Sequence, residues 1–530
     1  MIVLAAVAFG AAVTAPIPAA TATTPSPAEL VARNRAAAGR ERDGAERESW
    51  SVHSSGLSGT LAVIRQGADS SATMLLGPFR TQQGSVHGQR WHQNDNGETV
   101  VERPEPSQTE RPLSESVERV REPSEAWAVT STFASGHVKR TYYDARSYLV
   151  VRSEKTAGGR TIRTTYDDFK PDARGRLRAA HYFGGDDRPG SDFDYRLVSD
   201  EPVAAAGPAE LAVPNSRRAL VEFPPGATSV RLPARIEAGR IYVRLTIGAR
   251  ALDFLLDSGS SSIALDEAVA RSLGLLAYGR TSETIAGTFA AQRVIVPALG
   301  LGPLVMHDVV VRTGPLAENE GAHTRVVGLL GFDFLDAVGL KVDYGAGTVD
   351  ALRPGAWVAP PGSIPLPIRL NAQVPVMAVT VGEATGEDFI VDTGTPFDLV
   401  LFQRFVRAHA ATAGTVTSGA VRYGNGVGGS VPYRPFATDR MTLGPLAFSK
   451  PAAVAALPPA ALGFDTNDGL VGSGALAHFS VFFDYAGERL YLAPPARIPG
   501  LRSTGPRSPR PMRGGGNSGR PGDGQPKASR

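Results

Sequence analysis

The chain has 530 residues, of which 42% are hydrophobic and 20% charged, a balance typical of globular proteins that excludes a wholly disordered chain. The net charge is only +3, and residues 497–530 hold eight Lys and Arg against one Asp, so no nucleic-acid-binding footprint remains in the body of the chain. The absence of Cys excludes disulfides, thiol catalysis and Cys-ligated metals. The nine His residues are scattered without metal-ligand spacing, so we expect neither a metal nor another cofactor.

The N-terminus has the pattern of a secretory signal peptide. Residues 1–13 are almost wholly apolar but too short to span a bilayer, and Ala20-Thr21-Ala22 is a small-residue cleavage signature. No Lys or Arg precedes the apolar run, which departs from the usual pattern, and an ordinary disordered N-terminus is the alternative. We predict a signal peptide over residues 1–22 and an exported protein, periplasmic or secreted.

The next segment, residues 23–205, has the pattern of an antiparallel β domain with one leading helix. Helical spacing is found over Glu29–Ala38. Asn96-Gly97 is a hairpin turn signal, because both positions of a type I′ turn require positive φ. Short apolar and β-branched runs predict strands at residues 59–64, 73–76, 126–129 and 147–151.

The rest of the chain divides by composition and by an internal repeat. Residues 206–222 form an Ala/Pro-rich linker, and a strand-rich region follows over 223–495. Residues 496–530 are rich in Pro, Gly, Arg and Ser without apolar periodicity, which predicts a disordered basic tail. The repeat divides the strand-rich region into a first lobe, 223–358, and a second lobe, 359–495.

Four segments carry the repeat in the same order. The apolar runs that end in Asp257 and Asp392 lie 135 residues apart. The offset is 141 or 142 for three further pairs: 301–304 with 443–446, 329–331 with 470–472, and 342–344 with 483–485. Four matches in the same order with so little drift indicate a duplication, which is old because the two units differ widely elsewhere. Asp343 and Asp484 recur within it, but each lies in an Asp-Tyr turn, and we interpret them as structural.

The two Asp residues are the candidate chemistry of the chain. Each ends an apolar strand and is followed by a hydroxyl residue and Gly, as Asp257-Ser258-Gly259 and Asp392-Thr393-Gly394. Gly permits a tight turn and the close approach of another backbone. If the lobes pack face to face, two carboxylates about 3 Å apart share one proton. A water between them would then have a base and an acid for attack on a peptide carbonyl.

With the apolar-apolar-Gly segments, this pattern resembles the retropepsin-like and pepsin-like aspartic peptidases, in the bacterial branch with two lobes on one chain. The resemblance implies a bilobal pair of β-barrels with pseudo-twofold symmetry, and catalysis of peptide hydrolysis by Asp257 and Asp392. It implies loop roles for Ser258, Gly259, Ser260, Thr393, Gly394 and Thr395, and supporting roles for Leu330, Gly331, Val471 and Gly472. Gly-containing flaps are expected between the motifs of each lobe, with Gly287 and Gly426 as candidates.

The second loop departs from the family pattern. Pro396 and Asp398 follow it where the first loop has small polar residues, so Pro396 removes a backbone donor and Asp398 adds a negative charge near the site. Ser260 and Thr395 are each placed to donate a hydrogen bond to the neighbouring carboxylate, which predicts an acidic pH optimum.

Other functions remain open. The lobes could form a retired protease fold that binds peptides or lipoproteins without cleaving them, or equivalent lobes of two chains could pair. We expect a monomer acting on a peptide or protein substrate. A dinucleotide site at the Gly-rich run 424–429 is disfavoured, because Pro432 and Pro435 interrupt any following helix.

The N-terminal segment resembles the half-barrel of periplasmic lipoprotein-sorting and lipoprotein-carrier proteins. The residues that suggest it are 88–91, 143–149 and 166–169. The resemblance implies a concave sheet able to hold a lipid, a lipoprotein or an extended peptide. A packing or spacer domain is the alternative.

Overall fold

Strands make up most of the described chain, and the fold is mostly β, as predicted. The computed structural model describes residues 24–39, 44–102, 111–122, 124–133, 136–157, 160–216, 220–316, 325–457 and 467–494. The predicted signal peptide and basic tail lie outside the described residues. Within these ranges, no helix is both long and apolar enough to cross a membrane.

The first part of the chain forms one sheet with a helix packed on it. Its elements are α1 (Pro27–Ala38), β1 (Ala45–Ser54), β2 (Leu57–Gln66), β3 (Asp69–Leu76), β4 (Phe79–Val86), β5 (Gln89–Gln93), β6 (Thr99–Glu102), β7 (Ser114–Val120), β8 (Ala126–Thr132), β9 (Val138–Asp144), β10 (Val150–Ala157), β11 (Arg160–Pro171), β12 (Leu177–Gly185) and β13 (Phe193–Val203). The thirteen strands lie in the order 6-5-4-3-2-1-13-12-11-10-9-8-7. The sheet therefore consists of two meanders that are joined at the β1–β13 pair. We call these thirteen strands the N-terminal sheet.

Helix α1 begins where the sequence predicts a helix, within two residues. Ser26 accepts a hydrogen bond from the Glu29 backbone N–H while the Glu29 side chain accepts one from the Ser26 N–H, which closes a capping box. Leu30 is fully buried and packs with Val129 and Tyr143 of the sheet. Since α1 has little amphipathic character of its own, this one anchor and the cap fix its position.

The predicted hairpin at Asn96-Gly97 forms, but not with the predicted turn. Strands β5 and β6 pair across residues 94–98, and Gly97 has φ of +86°. Asn96 has no positive φ, so the type I′ interpretation is wrong: the Asn94 side chain instead accepts hydrogen bonds from the backbone N–H groups of Asn96 and Glu98. The strand predicted at 147–151 begins later, at Val150, because Asp144 caps a turn at Ser147.

The segment predicted as a linker contains regular structure. Helix α2 (Pro208–Leu211) lies in it, and β14 (Val221–Glu222) pairs with a strand of the first lobe. The first lobe continues with β15 (Ser229–Arg231), β16 (Ala234–Glu237), β17 (Arg240–Ile247), β18 (Arg250–Leu256), β19 (Ala264–Asp266), α3 (Glu267–Ser272), β20 (Ala277–Thr284), β21 (Thr288–Leu301), β22 (Leu304–Gly314), β23 (Gly328–Leu330), α4 (Phe332–Leu335), β24 (Gly339–Asp343) and β25 (Thr348–Leu352).

The second lobe contains corresponding elements in the same order. They are β26 (Ile364–Pro367), β27 (Arg369–Asn371), β28 (Val374–Val381), β29 (Ala384–Asp392), β30 (Leu399–Leu401), α5 (Gln403–Ala408), β31 (Thr415–Val416), β32 (Arg422–Gly426), β33 (Gly429–Ala437), β34 (Arg440–Leu443), β35 (Leu446–Ser449), β36 (Ala453–Ala456), β37 (Gly469–Gly472), α6 (Ser473–Leu476), β38 (Ser480–Asp484) and β39 (Arg489–Ala493). The predicted pseudo-twofold relation between the lobes stays a prediction.

The two lobes share one sheet and one core. A six-stranded sheet has the order β15-β25-β24-β38-β39-β26, and its central pair joins Leu340 of the first lobe to Phe483 of the second. One continuous cluster of buried residues includes Phe254 and Phe389, which lie on the strands that lead to the two Asp loops. Each fully buried side chain of this kind contributes about 1.5–3 kcal/mol. The shared core therefore fixes both strands within one packed body.

Candidate functional site

The two Asp loops emerge from equivalent strand pairs. Strand β18 lies parallel to β23, with Leu256 opposite Leu330, and the Asp257 N–H donates to the Leu330 carbonyl at 3.1 Å. Strand β29 lies parallel to β37, with Asp392 opposite Gly472. Leu252, Phe254 and Leu256 of β18 and residues 389–391 of β29 are buried, as their apolar sequences predict, so each strand delivers its carboxylate to the end of a rigid element.

The hydroxyl residues of the two loops cross-link the lobes. The Ser258 N–H donates to Thr393 Oγ1 at 3.1 Å, and the Thr393 N–H donates to Ser258 Oγ at 3.0 Å. Each hydroxyl then donates across the interface, Ser258 Oγ to the Val391 carbonyl at 2.7 Å and Thr393 Oγ1 to the Leu256 carbonyl at 2.8 Å. Ser258 and Thr393 are almost fully buried. This reciprocal set of four hydrogen bonds holds the two loops face to face.

The two carboxyl groups lie beside each other at the end of these loops. Asp257 Oδ1 accepts the Gly259 N–H at 2.9 Å, and Asp392 Oδ1 accepts the Gly394 N–H at 2.7 Å. A Cβ on Gly259 would lie 2.9 Å from Asp392 Cγ, and one on Gly394 would lie 3.0 Å from Asp257 Cγ. Glycine is needed in each loop because the carboxyl group of the other loop occupies the space of a side chain.

Proximity and burial raise the pKa of both carboxyl groups. For Asp257, burial raises the pKa most, and the charge of Asp392 adds to the rise. Burial also raises the pKa of Asp392, but the Gly394 N–H and a hydrogen bond from Asp257 oppose the rise. The two groups titrate as a coupled pair, so the pair rather than one of the two Asp residues holds the shared proton.

The supporting segments fit tightly under the loops. A Cβ on Gly331 would lie 2.5 Å from the Ser260 and Ser262 carbonyl oxygens, and one on Gly472 would lie 2.1 Å from the Phe397 carbonyl oxygen. Leu330 and Val471 are fully buried. The apolar-apolar-Gly pattern thus combines a buried strand with a position where only glycine fits.

The predicted role of the Ser260 hydroxyl is wrong. Ser260 Oγ donates its hydrogen to the Ser262 carbonyl at 2.8 Å and has none left for Asp257. On the other loop, it is the Thr395 backbone N–H that hydrogen-bonds Asp392 and lowers its pKa. The predicted acidic pH optimum of cleavage therefore has no support from Ser260.

The irregular residues of the second loop do not enter the site. The Asp398 carboxylate accepts the Ala452 N–H at 2.6 Å, which uses the charge to fix a neighbouring strand. Pro396 is exposed. Thr395 is held from below, because the Ser473 N–H and hydroxyl both donate to its carbonyl at 2.8 Å. The second loop is thus as well anchored as the first.

Both flap candidates lie at hairpin tips, and these tips meet. Gly287 joins β20 to β21, and Gly426 ends β32 of the β32–β33 hairpin. The Ala286 N–H donates to the Val427 carbonyl at 3.0 Å. A Cβ on Gly287 would lie 2.0 Å from the Gly428 carbonyl oxygen, so the tips pack backbone to backbone. We call β20–β21 the first flap and β32–β33 the second flap.

Charged and phenolic side chains near the carboxyl pair, among them Tyr433 of the second flap, were not found from sequence. The charge of Arg240, at the start of β17, lowers the pKa of both carboxyl groups, and its buried Nε has no hydrogen-bond partner in the described chain. Burial raises the pKa of Tyr344 and Tyr485, and the charge of Asp392 adds to both shifts. Tyr344 and Tyr485 could have been found from the repeated Asp-Tyr turns of the sequence, whereas no local sequence pattern marks Arg240.

Asp343 and Asp484 make local contacts, consistent with a structural role. Asp343 accepts the Ala346 N–H at 2.9 Å, and Asp484 accepts the Gly487 N–H at 3.0 Å. Both bonds close the turns that lead to the last strand of each lobe. In the described residues, no group of three or more His, Asp or Glu side chains could hold a metal ion.

Comparison with known proteins supports the first lobe most directly. Residues 243–334 match a family model described as aspartyl protease. This segment contains Asp257 and the supporting Leu330 and Gly331, and it ends before the second lobe. The chain thus has an aspartyl-protease-like segment, while no curated protein matches it.

Two solved structures are also similar to part of the chain. One is a DUF1329 family protein from Desulfovibrio piger, at 10% identity and a TM-score of 0.26, over 35% of this chain and 95% of that one. The other is a putative outer membrane lipoprotein-sorting protein domain from Vibrio parahaemolyticus, at 9% identity and a TM-score of 0.25, over 35% of this chain and 93% of that one. These scores are too low to establish a shared fold.

Proposed function

We propose that the chain is an exported aspartic-type endopeptidase in which Asp257 and Asp392 form the catalytic pair. The observation that carries the proposal is the placement of two carboxyl groups over each other's loop glycines, locked by the crossed Ser258 and Thr393 hydrogen bonds. The matched aspartyl-protease segment and the raised pKa values of both groups support it.

The chemistry follows from one proton shared by two acids. In the singly protonated pair, the ionised Asp takes a proton from a water held between the carboxyls as that water attacks the peptide carbonyl. The protonated Asp donates a hydrogen bond to the oxyanion, and a proton then passes to the leaving nitrogen. Because both pKa values are raised, this proton persists toward neutral pH. A hydrogen bond donated by Ser260 would have lowered the carboxyl pKa and, with it, the pH optimum of cleavage. Since both pKa values are raised, we do not expect so low a pH optimum.

The cleft suits an extended peptide. We expect the Asp loops to form its floor and the first and second flaps, whose tips are hydrogen-bonded to each other, to form its roof. A substrate would lie between floor and roof and hydrogen-bond to the flap backbones as an added strand. Entry of a polypeptide requires the flap tips to separate, since the Ala286 N–H and Val427 carbonyl are directly bonded.

A non-catalytic peptide-binding role is the second candidate. It is favoured by the family match, which covers the loop at Asp257 but not the loop at Asp392. An acyl or lipoprotein ligand of the N-terminal sheet, export, and a monomeric state stay predictions from the sequence.

A cleavage assay separates the two candidates. The chain is incubated with a diverse peptide mixture between pH 3 and pH 8, with and without a pepstatin-like inhibitor, and products are read by mass spectrometry. We expect inhibitor-sensitive internal cleavage, with a rate per chain that does not depend on protein concentration. Saturable peptide binding without cleavage at any pH would favour the binding role, and a rate that falls on dilution would indicate pairing of two chains.

Replacing Arg240 should move the pH dependence of cleavage upward. Arg240→Met removes a positive charge that lowers the pKa of both carboxyl groups, so both pKa values rise. On the acid side of the kcat/KM profile, activity falls because the ionised Asp becomes protonated. This side of the profile moves to higher pH in the variant, which therefore loses activity severalfold at acid pH. The control is Arg244→Met on the same strand, because exposed Arg244 pairs with Asp253 at 2.8 Å. If the pH profiles of Arg240→Met and Arg244→Met superimpose, Arg240 has no influence on the carboxyl pair.

A further inference from the structure

The outer strand of the first flap is covered by the N-terminal sheet. Strand β20 is the edge strand of its own sheet, so its outer backbone groups are open to a partner. The turn between β1 and β2 supplies one contact, in which the Arg280 N–H donates to the Ser55 carbonyl at 2.7 Å. The loop between β12 and β13 supplies another, in which Ser282 Oγ donates to the Pro189 carbonyl at 2.9 Å. Two loops of the N-terminal sheet thus hold the flap edge.

These contacts are close enough to exclude side chains. A Cβ on Gly190 would lie 2.0 Å from the Arg280 carbonyl oxygen, and one on Gly279 would lie 2.8 Å from the Ser55 carbonyl oxygen. At the base of the flap, the rings of Phe79 and Tyr278 meet edge to face at 5.5 Å. The first flap is therefore packed against the N-terminal sheet along β20, and it cannot swing outward without breaking this contact.

The same sheet is anchored to the body of the first lobe at a second place. The Asn96 side chain pairs with the Val310 backbone, donating to its carbonyl at 2.9 Å and accepting its N–H at 2.7 Å. Asn94 Nδ2 donates to Asp333 Oδ1 at 3.0 Å, and Asp95 pairs with Arg293 at 2.8 Å. Val310 and Asp333 belong to β22 and α4, which lie outside the flap, whereas Arg293 lies on β21 of the flap itself, away from its tip.

A cavity of about 710 Å³ lies between the N-terminal sheet and the first lobe. Leu61, Met74, Tyr182 and Tyr195 line it from the N-terminal sheet, and Arg293 and Arg312 line it from the first lobe. The sheet also packs against the lobes beside this cavity, since buried Val100 of β6 belongs to the same core cluster as the lobe residues and the Arg293 guanidinium lies 4.0 Å from the Phe79 ring.

We propose that the N-terminal sheet is a brace that holds the first flap closed over the cleft and limits substrate entry. One end of the brace is fixed to β22 and α4, and the other grips β20. This proposal rests on the proposed peptidase function for its effect on turnover, but the restraint on the flap is a structural property that can be measured without cleavage.

The test uses two matched glycine variants. Gly190→Ala places a methyl group against the Arg280 carbonyl and forces the β12–β13 loop off the flap. Gly88→Ala is the control: Gly88 has φ of +80°, close to the +75° of Gly190, and nothing lies within 4 Å of its Cβ position. Both substitutions carry the same backbone strain in the same sheet, so a difference between them reports the flap contact. Ser282→Ala, which removes one hydrogen bond, serves as a milder second variant should Gly190→Ala fail to fold.

Flap opening is measured by pulsed electron paramagnetic resonance between two spin labels. The chain has no Cys, so cysteines introduced at Thr288 in the first flap and at exposed Tyr423 in the second are labelled specifically. We expect Gly190→Ala, or Ser282→Ala to a smaller extent, to shift the distance distribution to longer distances. We also expect a three- to tenfold higher kcat/KM for a folded protein substrate, with Gly88→Ala equal to the parent in both.

The two proposals fail in different ways. An unchanged distance distribution, or longer distances with a lower kcat/KM than the parent, would overturn the brace. Loss of cleavage in every variant including the parent would overturn the peptidase function, while the distances would still decide whether the sheet restrains the flap.

Discussion

Asp257→Asn and Asp392→Asn should each reduce kcat for peptide cleavage by about a thousandfold or more, with little change in KM and no fall in the midpoint of thermal unfolding. Amide side chains keep the shape of the carboxyl groups and can still accept the Gly259 and Gly394 N–H bonds. They cannot share a proton or ionise, so the one remaining carboxyl group cannot serve as acid and base at the same time. Steady-state kinetics with a defined peptide substrate and calorimetry measure the two effects.

The control for this prediction is Asp253→Asn, on the same strand β18. Asp253 is partly buried and pairs with Arg244 and Arg235, but it lies away from the loop. It should keep its activity within a few-fold of the parent. The double variant should be no worse than either single variant, because the two carboxyls act as one unit. Substantial cleavage by the double variant would refute the catalytic pair.

Glu98→Gln should stabilise the protein at neutral and alkaline pH. Glu98 is 1% exposed and lies near Asp333 and Asp336, where the N-terminal sheet meets the first lobe. Burial, followed by the charge of Asp333, raises the pKa of Glu98 to about 9. The folded protein must therefore hold a proton on Glu98 that the unfolded chain releases, and glutamine supplies a neutral side chain of the same shape without that requirement.

The sign of the pH dependence follows from proton linkage. The folded-state pKa of Glu98 lies above the unfolded value, so the folded state binds more protons between about pH 4.5 and pH 9. Stability from this group is complete below the unfolded pKa, falls as pH rises, and levels off above about pH 9. The slope is about 1.4 kcal/mol per pH unit, or about 4 kcal/mol between pH 5 and pH 8. Glu98→Gln should remove this slope.

Denaturant unfolding between pH 5 and pH 9 measures the effect as the difference between parent and variant. That difference reports Glu98 together with Asp333, whose charge interacts with it, because the more distant buried acids titrate alike in both proteins. Exposed Glu201, replaced by Gln, is the control and should leave the pH dependence unchanged. Equal slopes in the parent and Glu98→Gln would show that Glu98 is not held protonated at the junction.

Residues that are neighbours in the sequence determined much of the structure of the two Asp loops and of the segments beneath them. An apolar run before Asp257 or Asp392 predicts a buried strand, and the following hydroxyl residue and glycine predict a tight loop. The paired Leu330-Gly331 and Val471-Gly472 segments indicate a second strand packed beneath. These inferences depend on neighbours within a few residues, where sterics and turn chemistry decide the backbone, and the internal repeat supplied the evidence that two such loops belong together.

Contacts between distant segments were decided only by the tertiary structure. The sequence does not show that Ser260 donates to Ser262 rather than to Asp257, because both acceptors lie within three residues of Ser260 along the chain. Nor does it place Arg240 beside the carboxyl pair, join the two flap tips, or bury Glu98 against Asp333. Each of these depends on which sheets pack together, and packing is set by the shape and burial of the whole core rather than by any local pattern. The contact between the N-terminal sheet and β20 is also decided by the tertiary structure. Nothing in the sequence marks Ser55 or Arg280, and only the fold brings the Arg280 N–H to 2.7 Å from the Ser55 carbonyl oxygen.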